Sequence, residues 1–196
     1  MNIRITNGRL IDPKSGLDQH ADLFIADGCV TAMGQAPAGF VAGKTLDAGG
    51  KIVCPGLVDL AARLKGIDSE LAAAVQGGVT TLVCPPDVNP PLDEPELVER
   101  LVRRDAECGL SRVLPLGALT QNLGGERLAE LNGLKRAGCI AFSHAKKPIT
   151  DTYALLRALE YAATFGYAVW MRPQDHWLSR NGVAHDGKVA SKLGLA

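Results

Sequence analysis

Val53-Cys54-Pro55-Gly56-Leu57-Val58-Asp59-Leu60 is the stretch at which the pattern of the chain changes. Before it, short apolar segments are separated by turn dipeptides: Asn7-Gly8 follows Ile3 and Ile5, Asp27-Gly28 sits between Leu23-Phe24-Ile25 and Val30, and Gly49-Gly50 precedes Ile52-Val53. Asn-Gly and Asp-Gly supply the left-handed residues that tight hairpins need, so residues 1–53 read as a small antiparallel β-sandwich module. After Pro55-Gly56, apolar runs alternate with longer segments of helical period. That change places a domain boundary here, with a second domain over residues 54–196.

In the second domain the strand candidates are Gly56–Leu64, Val79–Cys84, Arg112–Leu119, Cys139–Ser143 and Tyr167–Met171. Most are apolar on successive residues, as parallel strands covered on both faces require. Ser69–Gln76, Glu94–Cys108, Glu126–Ala137 and Thr152–Phe165 carry apolar residues three and four apart and are expected to be helices. Gly77-Gly78, Gly109, Gly138 and Gly166 follow them where helices are commonly stopped. This α/β repetition suits either a doubly wound sheet or a (β/α)8 barrel, and periodicity does not choose between them. About five strands are present where a closed barrel takes eight, so the expectation is an open sheet or part of a barrel.

Composition narrows the function classes. The 196 residues are 46% hydrophobic, with Lys+Arg 21 balancing Asp+Glu 21, so no basic field draws in nucleic acid or anionic lipid. A net charge near zero leaves self-association or partner binding unopposed by charge repulsion. No basic segment followed by an apolar run opens the chain, and no apolar stretch approaches the ~18 residues of a membrane span, which predicts a cytoplasmic protein without a membrane role. The five cysteines, Cys29, Cys54, Cys84, Cys108 and Cys139, are scattered and never form Cys-x-x-Cys, so they read as reduced thiols.

The stretch from Val53 to Leu60 resembles the opening of the first barrel strand in the dihydroorotase, hydantoinase and allantoinase group of amidohydrolases. Gly77-Gly78-Val79-Thr80-Thr81-Leu82, Asn89-Pro90-Pro91-Leu92-Asp93 and Leu155–Thr164 continue the resemblance in order. It implies the first part of a (β/α)8 barrel of the metal-dependent hydrolase type behind a small β module, with the chain ending about midway.

The same resemblance implies a lost zinc centre. Where active members carry His-x-His after the strand opening, followed by Leu-Arg, this chain reads Ala61-Ala62-Arg63-Leu64-Lys65. A methyl group and a permanent cation cannot ligate Zn²⁺. The loop Pro-Asn-Thr-Asn-Pro, whose first Asn binds the substrate carboxylate, becomes Pro86-Asp87-Val88-Asn89-Pro90, setting an anion against an anion. Ser-Asp-Asp becomes Ser143-His144-Ala145, and Val-His-Ala-Glu becomes Met171-Arg172-Pro173-Gln174. The replaced ligand positions are thus Ala61, Arg63, His144 and Arg172, and the degenerate substrate positions Lys65, Asp87 and Asn89. Burying a cation costs several kcal/mol unless it is paired, so Arg63 and Arg172 are expected to form ion pairs with Asp59 or Asp87 and fill the former cavity.

Other residues invite chemical readings of their own. His144, His176 and Asp59 could build a relocated metal site, but loop histidines are more often solvated or structurally bonded. Cys84 stands beside Pro85 without a His or Asn placed to activate it. Asp93 to Glu96 fit the acidic first turn of a helix, and Lys146-Lys147 and Arg103-Arg104 fit solvated faces. The resemblance implies an inactive dihydroorotase-like subunit, without catalytic residues or zinc, that assembles with the aspartate transcarbamoylase catalytic chain or with itself. The competing expectations are a working cyclic amidohydrolase with an atypical site and a truncated product without function.

Overall fold

The structure, a computed structural model, describes residues 1–179 and 182–195. The chain divides into two compact units, Met1–Gly56 and Leu57–Ala196.

The smaller unit contains β1 (Ile3–Thr6), β2 (Arg9–Asp12), β3 (Leu17–His20), β4 (Leu23–Ala26), β5 (Cys29–Met33), β6 (Lys44–Asp47) and β7 (Ile52–Val53). These form two sheets, ordered β5-β4-β1-β6 and β3-β2-β7. The pairs β1–β4, β4–β5 and β2–β3 are antiparallel, while the returning strands β6 and β7 pair parallel to β1 and β2. Asp27 and Gly28 take φ of 51° and 76°, the two left-handed residues of a tight hairpin turn between β4 and β5. Leu10, Phe24 and Ala48 are buried, and Phe40 packs edge-on to Phe24 with ring centroids 5.2 Å apart.

The larger unit alternates β8 (Leu57–Asp59), α1 (Ile67–Gln76), β9 (Val79–Cys84), α2 (Pro95–Cys108), β10 (Arg112–Ala118), α3 (Leu131–Ala137), β11 (Ala141–Ser143), α4 (Thr152–Thr164) and β12 (Val169–Trp170), and α5 (Lys188–Leu193) follows. All pairs in this sheet are parallel, in the order β12-β11-β10-β9-β8. Each strand lies next to its predecessor in sequence. A doubly wound sheet reverses its order at a switch point, so strictly sequential neighbours define barrel-type winding.

The core of this unit lies between sheet and helices: Leu71 of α1, Val98 of α2, Leu131 and Leu134 of α3, and Ala158 and Ala162 of α4 are buried with Leu82, Val113 and Phe142 of the strands. Each large apolar side chain so buried contributes about 1.5–3 kcal/mol. Ala154, Ala158 and Ala162, four residues apart, give α4 a buried face of methyl groups. Asp151 caps that helix by accepting the backbone N–H groups of Tyr153 and Ala154 at 2.9 and 3.0 Å.

Two of the expected element bounds change most. The first strand ends at Asp59 rather than Leu64, because the Asp59 carboxylate accepts the Ala61 N–H at 2.8 Å and turns the chain. The third helix begins at Leu131 rather than Glu126. Residues 119–129 instead fold back on themselves: Thr120 bridges Leu128, Gln121 N–H donates to Arg127 O at 2.8 Å, and Ala129 N–H donates to Leu119 O at 3.0 Å.

Candidate functional site

The carboxyl ends of the parallel strands gather the residues singled out from sequence, at the face where parallel α/β folds bind ligands. Ala61 is exposed just past β8. Arg63, half-buried, turns to the loop after β9, where its Nε donates to Asp87 Oδ2 at 2.8 Å. Ala62 N–H donates to Val83 O at 3.0 Å, so the segment carrying Arg63 remains tied to β9 beyond the last residue of β8. The other Asp87 oxygen, Oδ1, is buried with no partner among the described residues.

The Asp87 loop is built from Pro85 and Pro86, both buried, and a cis peptide bond between Asn89 and Pro90. Leu92 N–H closes it onto Pro86 O at 3.1 Å, and Leu92 O accepts the Ala118 N–H of β10 at 2.8 Å. Asp93 Oδ2 accepts the Asn122 N–H at 2.6 Å. Asn89 and Lys65 are exposed. The Asp87 carboxylate therefore meets a guanidinium from the segment that follows the neighbouring strand.

His144 directly follows β11 and is buried at 2% exposure. Its Nδ1 lies 2.7 Å from Lys147 O, which can only accept, so Nδ1 carries the proton. In neutral His144 Nε2 is then an acceptor for the Thr120 hydroxyl at 2.8 Å, and Thr120 Oγ1 in turn accepts the Gly125 N–H at 3.0 Å. Burial lowers the His144 pKa by disfavouring the imidazolium, and the nearby Lys147 ammonium acts in the same direction. With both ring nitrogens engaged, His144 is a structural hub rather than a free base.

Arg172 departs from the expectation of a second buried ion pair. It is exposed past β12 and, among the described residues, pairs with no carboxylate. Asp59 is also exposed and is occupied by the Ala61 amide. His176 is exposed and stacks edge-on against Trp177, with centroids 4.8 Å apart. Cys84 is buried, and burial pushes its thiol up in pKa, opposite to the shift that makes a nucleophile.

Among the described residues, no three His, Cys, Asp or Glu side chains come together in a way that could hold a metal ion. At the strand ends stand a methyl, two guanidiniums and an imidazole already bonded on both nitrogens. That donor set does not fit a zinc centre. The Thr120 link to His144 was not foreseen from sequence, where Thr120 follows the third strand without any motif.

Sequential parallel strands behind a small β module define the amidohydrolase type of (β/α)8 barrel, of which this chain supplies the first five strands. L-hydantoinase (dihydropyrimidinase) from Arthrobacter aurescens superposes with a TM-score of 0.65 at 24% identity over 87% of this chain and 40% of its own. A D-hydantoinase superposes with a TM-score of 0.61 at 26% identity over 88% of this chain and 40% of its own.

A family model described as dihydro-orotase-like matches residues 50–196, and the chain belongs to that family. It is 48% identical, over its full length, to a dihydroorotase-like protein of Pseudomonas putida and 47% identical to one of Pseudomonas aeruginosa. A dihydroorotase of Pelobacter propionicus is 40% identical over the full length of this chain. The chain spans 48% of the length of each of these relatives. Among the described residues, no helix is long and apolar enough to cross a membrane.

Proposed function

We propose that this chain is part of a catalytically inactive dihydroorotase-like protein that supports assembly of aspartate transcarbamoylase in pyrimidine biosynthesis, in the cytoplasm. The observation that carries the loss of catalysis is the Arg63–Asp87 ion pair, 2.8 Å long, which joins a position expected to bind metal to one expected to bind substrate. Hydrolysis of a cyclic amide needs a polarised carbonyl and an activated water. Here the carboxylate is paired with a guanidinium, and the imidazole has both nitrogens hydrogen-bonded. No zinc is bound in this proposal.

The assembly role rests on the family resemblance and on the contrast between preserved fold and replaced chemistry. Barrel winding and loop closures are kept, while the positions expected to ligate metal carry other side chains, which suits a protein valued for its surface. Co-expression with the transcarbamoylase catalytic chain, followed by size-exclusion chromatography with light scattering, is expected to give one complex containing both. A transcarbamoylase that assembles and works equally well without this protein removes the assembly role. The competing reading, a working cyclic amidohydrolase, is favoured by the 40% identity to a relative named dihydroorotase. Turnover of dihydroorotate with added zinc or manganese would select it.

A further inference from the structure

The turn after β11 and the segment after β12 enclose a pocket of about 340 Å³ within the larger unit. Lys146, Lys147 and Arg172 line it, against Asp175 as the one acidic lining residue. One oxygen of the Asp175 carboxylate, Oδ1, accepts the N–H groups of Trp177 and Leu178, each at 2.8 Å. Among the described residues, none of these three cations is in an ion pair. Like charges around one concavity repel each other, and a bound dianion relieves that repulsion.

The turn that presents the lysines is held in place before any ligand arrives. Ala145 sits at φ 52°, a left-handed conformation uncommon for a residue with a Cβ. Ser143 Oγ fastens it by accepting the Ala145 N–H at 3.0 Å and donating to Trp170 O at 2.7 Å, and His144 Nδ1 donates to Lys147 O at 2.7 Å. Preorganisation of this kind lowers the ordering cost of binding. Gln174, also in the lining, donates from Nε2 to Ser179 Oγ at 3.1 Å, while its Oε1 is buried with no donor among the described residues. Leu155, Leu159 and Met171 make the remaining wall apolar.

We propose that this pocket binds a phosphate monoester: the dianion against Lys146, Lys147 and Arg172, and the apolar body against Leu155, Leu159 and Met171. The site goes beyond the assembly role and does not depend on it, because binding is read on the protein without any partner.

The probe is phenyl phosphate, followed by isothermal titration calorimetry and thermal unfolding at low ionic strength. Saturable binding with a raised Tm is expected, with inorganic phosphate binding more weakly and phenol not binding. Arg172→Gln and the double variant Lys146→Gln/Lys147→Gln, all at exposed positions, are each expected to weaken phenyl phosphate binding by about tenfold. Absence of saturation overturns the proposal, as does phenol binding as well as phenyl phosphate, or affinity unchanged in both variants.

Discussion

Thr120 Oγ1 and His144 Nε2 lie 2.8 Å apart, joining the segment that follows β10 to the residue that follows β11, and both residues are buried. The geometry suits neutral imidazole, since Lys147 O fixes the proton on Nδ1 and leaves Nε2 to accept. Protonation replaces that acceptor by a donor in a buried site.

Acid is therefore expected to destabilise the fold through His144. Its folded pKa is lowered, so between that value and the unfolded value of about 6.5 the unfolded chain binds more protons. The stability contributed by neutral His144 is complete above the unfolded pKa and is lost as pH falls through the folded one. Urea midpoints recorded from pH 7.5 downward should fall in the wild type and fall less in His144→Gln. Parallel curves for the two proteins contradict this assignment.

The ion pair between Arg63 and Asp87 is partly buried, with side-chain exposures of 31% and 19%. Arg63→Met and Asp87→Asn are each expected to cost about 1–3 kcal/mol, since each strips the other residue of its partner. A double-mutant cycle by urea denaturation should give a coupling energy of about 1–2 kcal/mol. Strict additivity means the pair contributes nothing.

The cysteines should separate by environment. Cys29 and Cys54 are exposed and are expected to react first with a thiol-specific disulfide reagent. The Cys108 thiol donates to Asp68 Oδ1 at 2.7 Å, which raises its pKa and should slow it. Burial raises the Cys84 pKa and pushes Cys139 up to about 12, so both should react only after denaturation. Native-state labelling of Cys139, located by peptide mass mapping, would run against the packing described.

Gly117 sits where β10 meets the ring of Phe142, and a Cβ there would come within 2.9 Å of two ring atoms. Gly117→Ala is expected to destabilise the protein by about 1–3 kcal/mol through overpacking. Calorimetric unfolding of the variant reads it directly, and an unchanged Tm would show that β10 or Phe142 yields at little cost.

Much of the barrel is legible in sequence because its local signals agree with its tertiary role. Val79–Cys84 is apolar and β-branched and forms β9 without change of bounds, and Pro95 starts α2 where a proline at the first helical position is favourable. Legibility fails where a single side chain redirects the backbone. Asp59 captures the Ala61 amide and shortens β8, and the Thr120–Leu128 bridge absorbs residues that carry helical spacing. At the site, the pairing of Arg63 with Asp87 followed from the cost of an isolated cation near a carboxylate. The same argument does not hold for Arg172, because that side chain reaches solvent and has no desolvation to offset. The His144 hub depends on Thr120, 24 residues away, a contact that no periodicity encodes.

The central claim is that the strand ends of this dihydroorotase-like chain carry an ion pair in place of a metal centre. Metal content of the purified protein, measured by inductively coupled plasma mass spectrometry after equilibration with zinc and dialysis, tests it most directly. The account predicts zinc far below one equivalent per chain, unchanged in Arg63→Met. One or more equivalents of zinc retained through dialysis would contradict it.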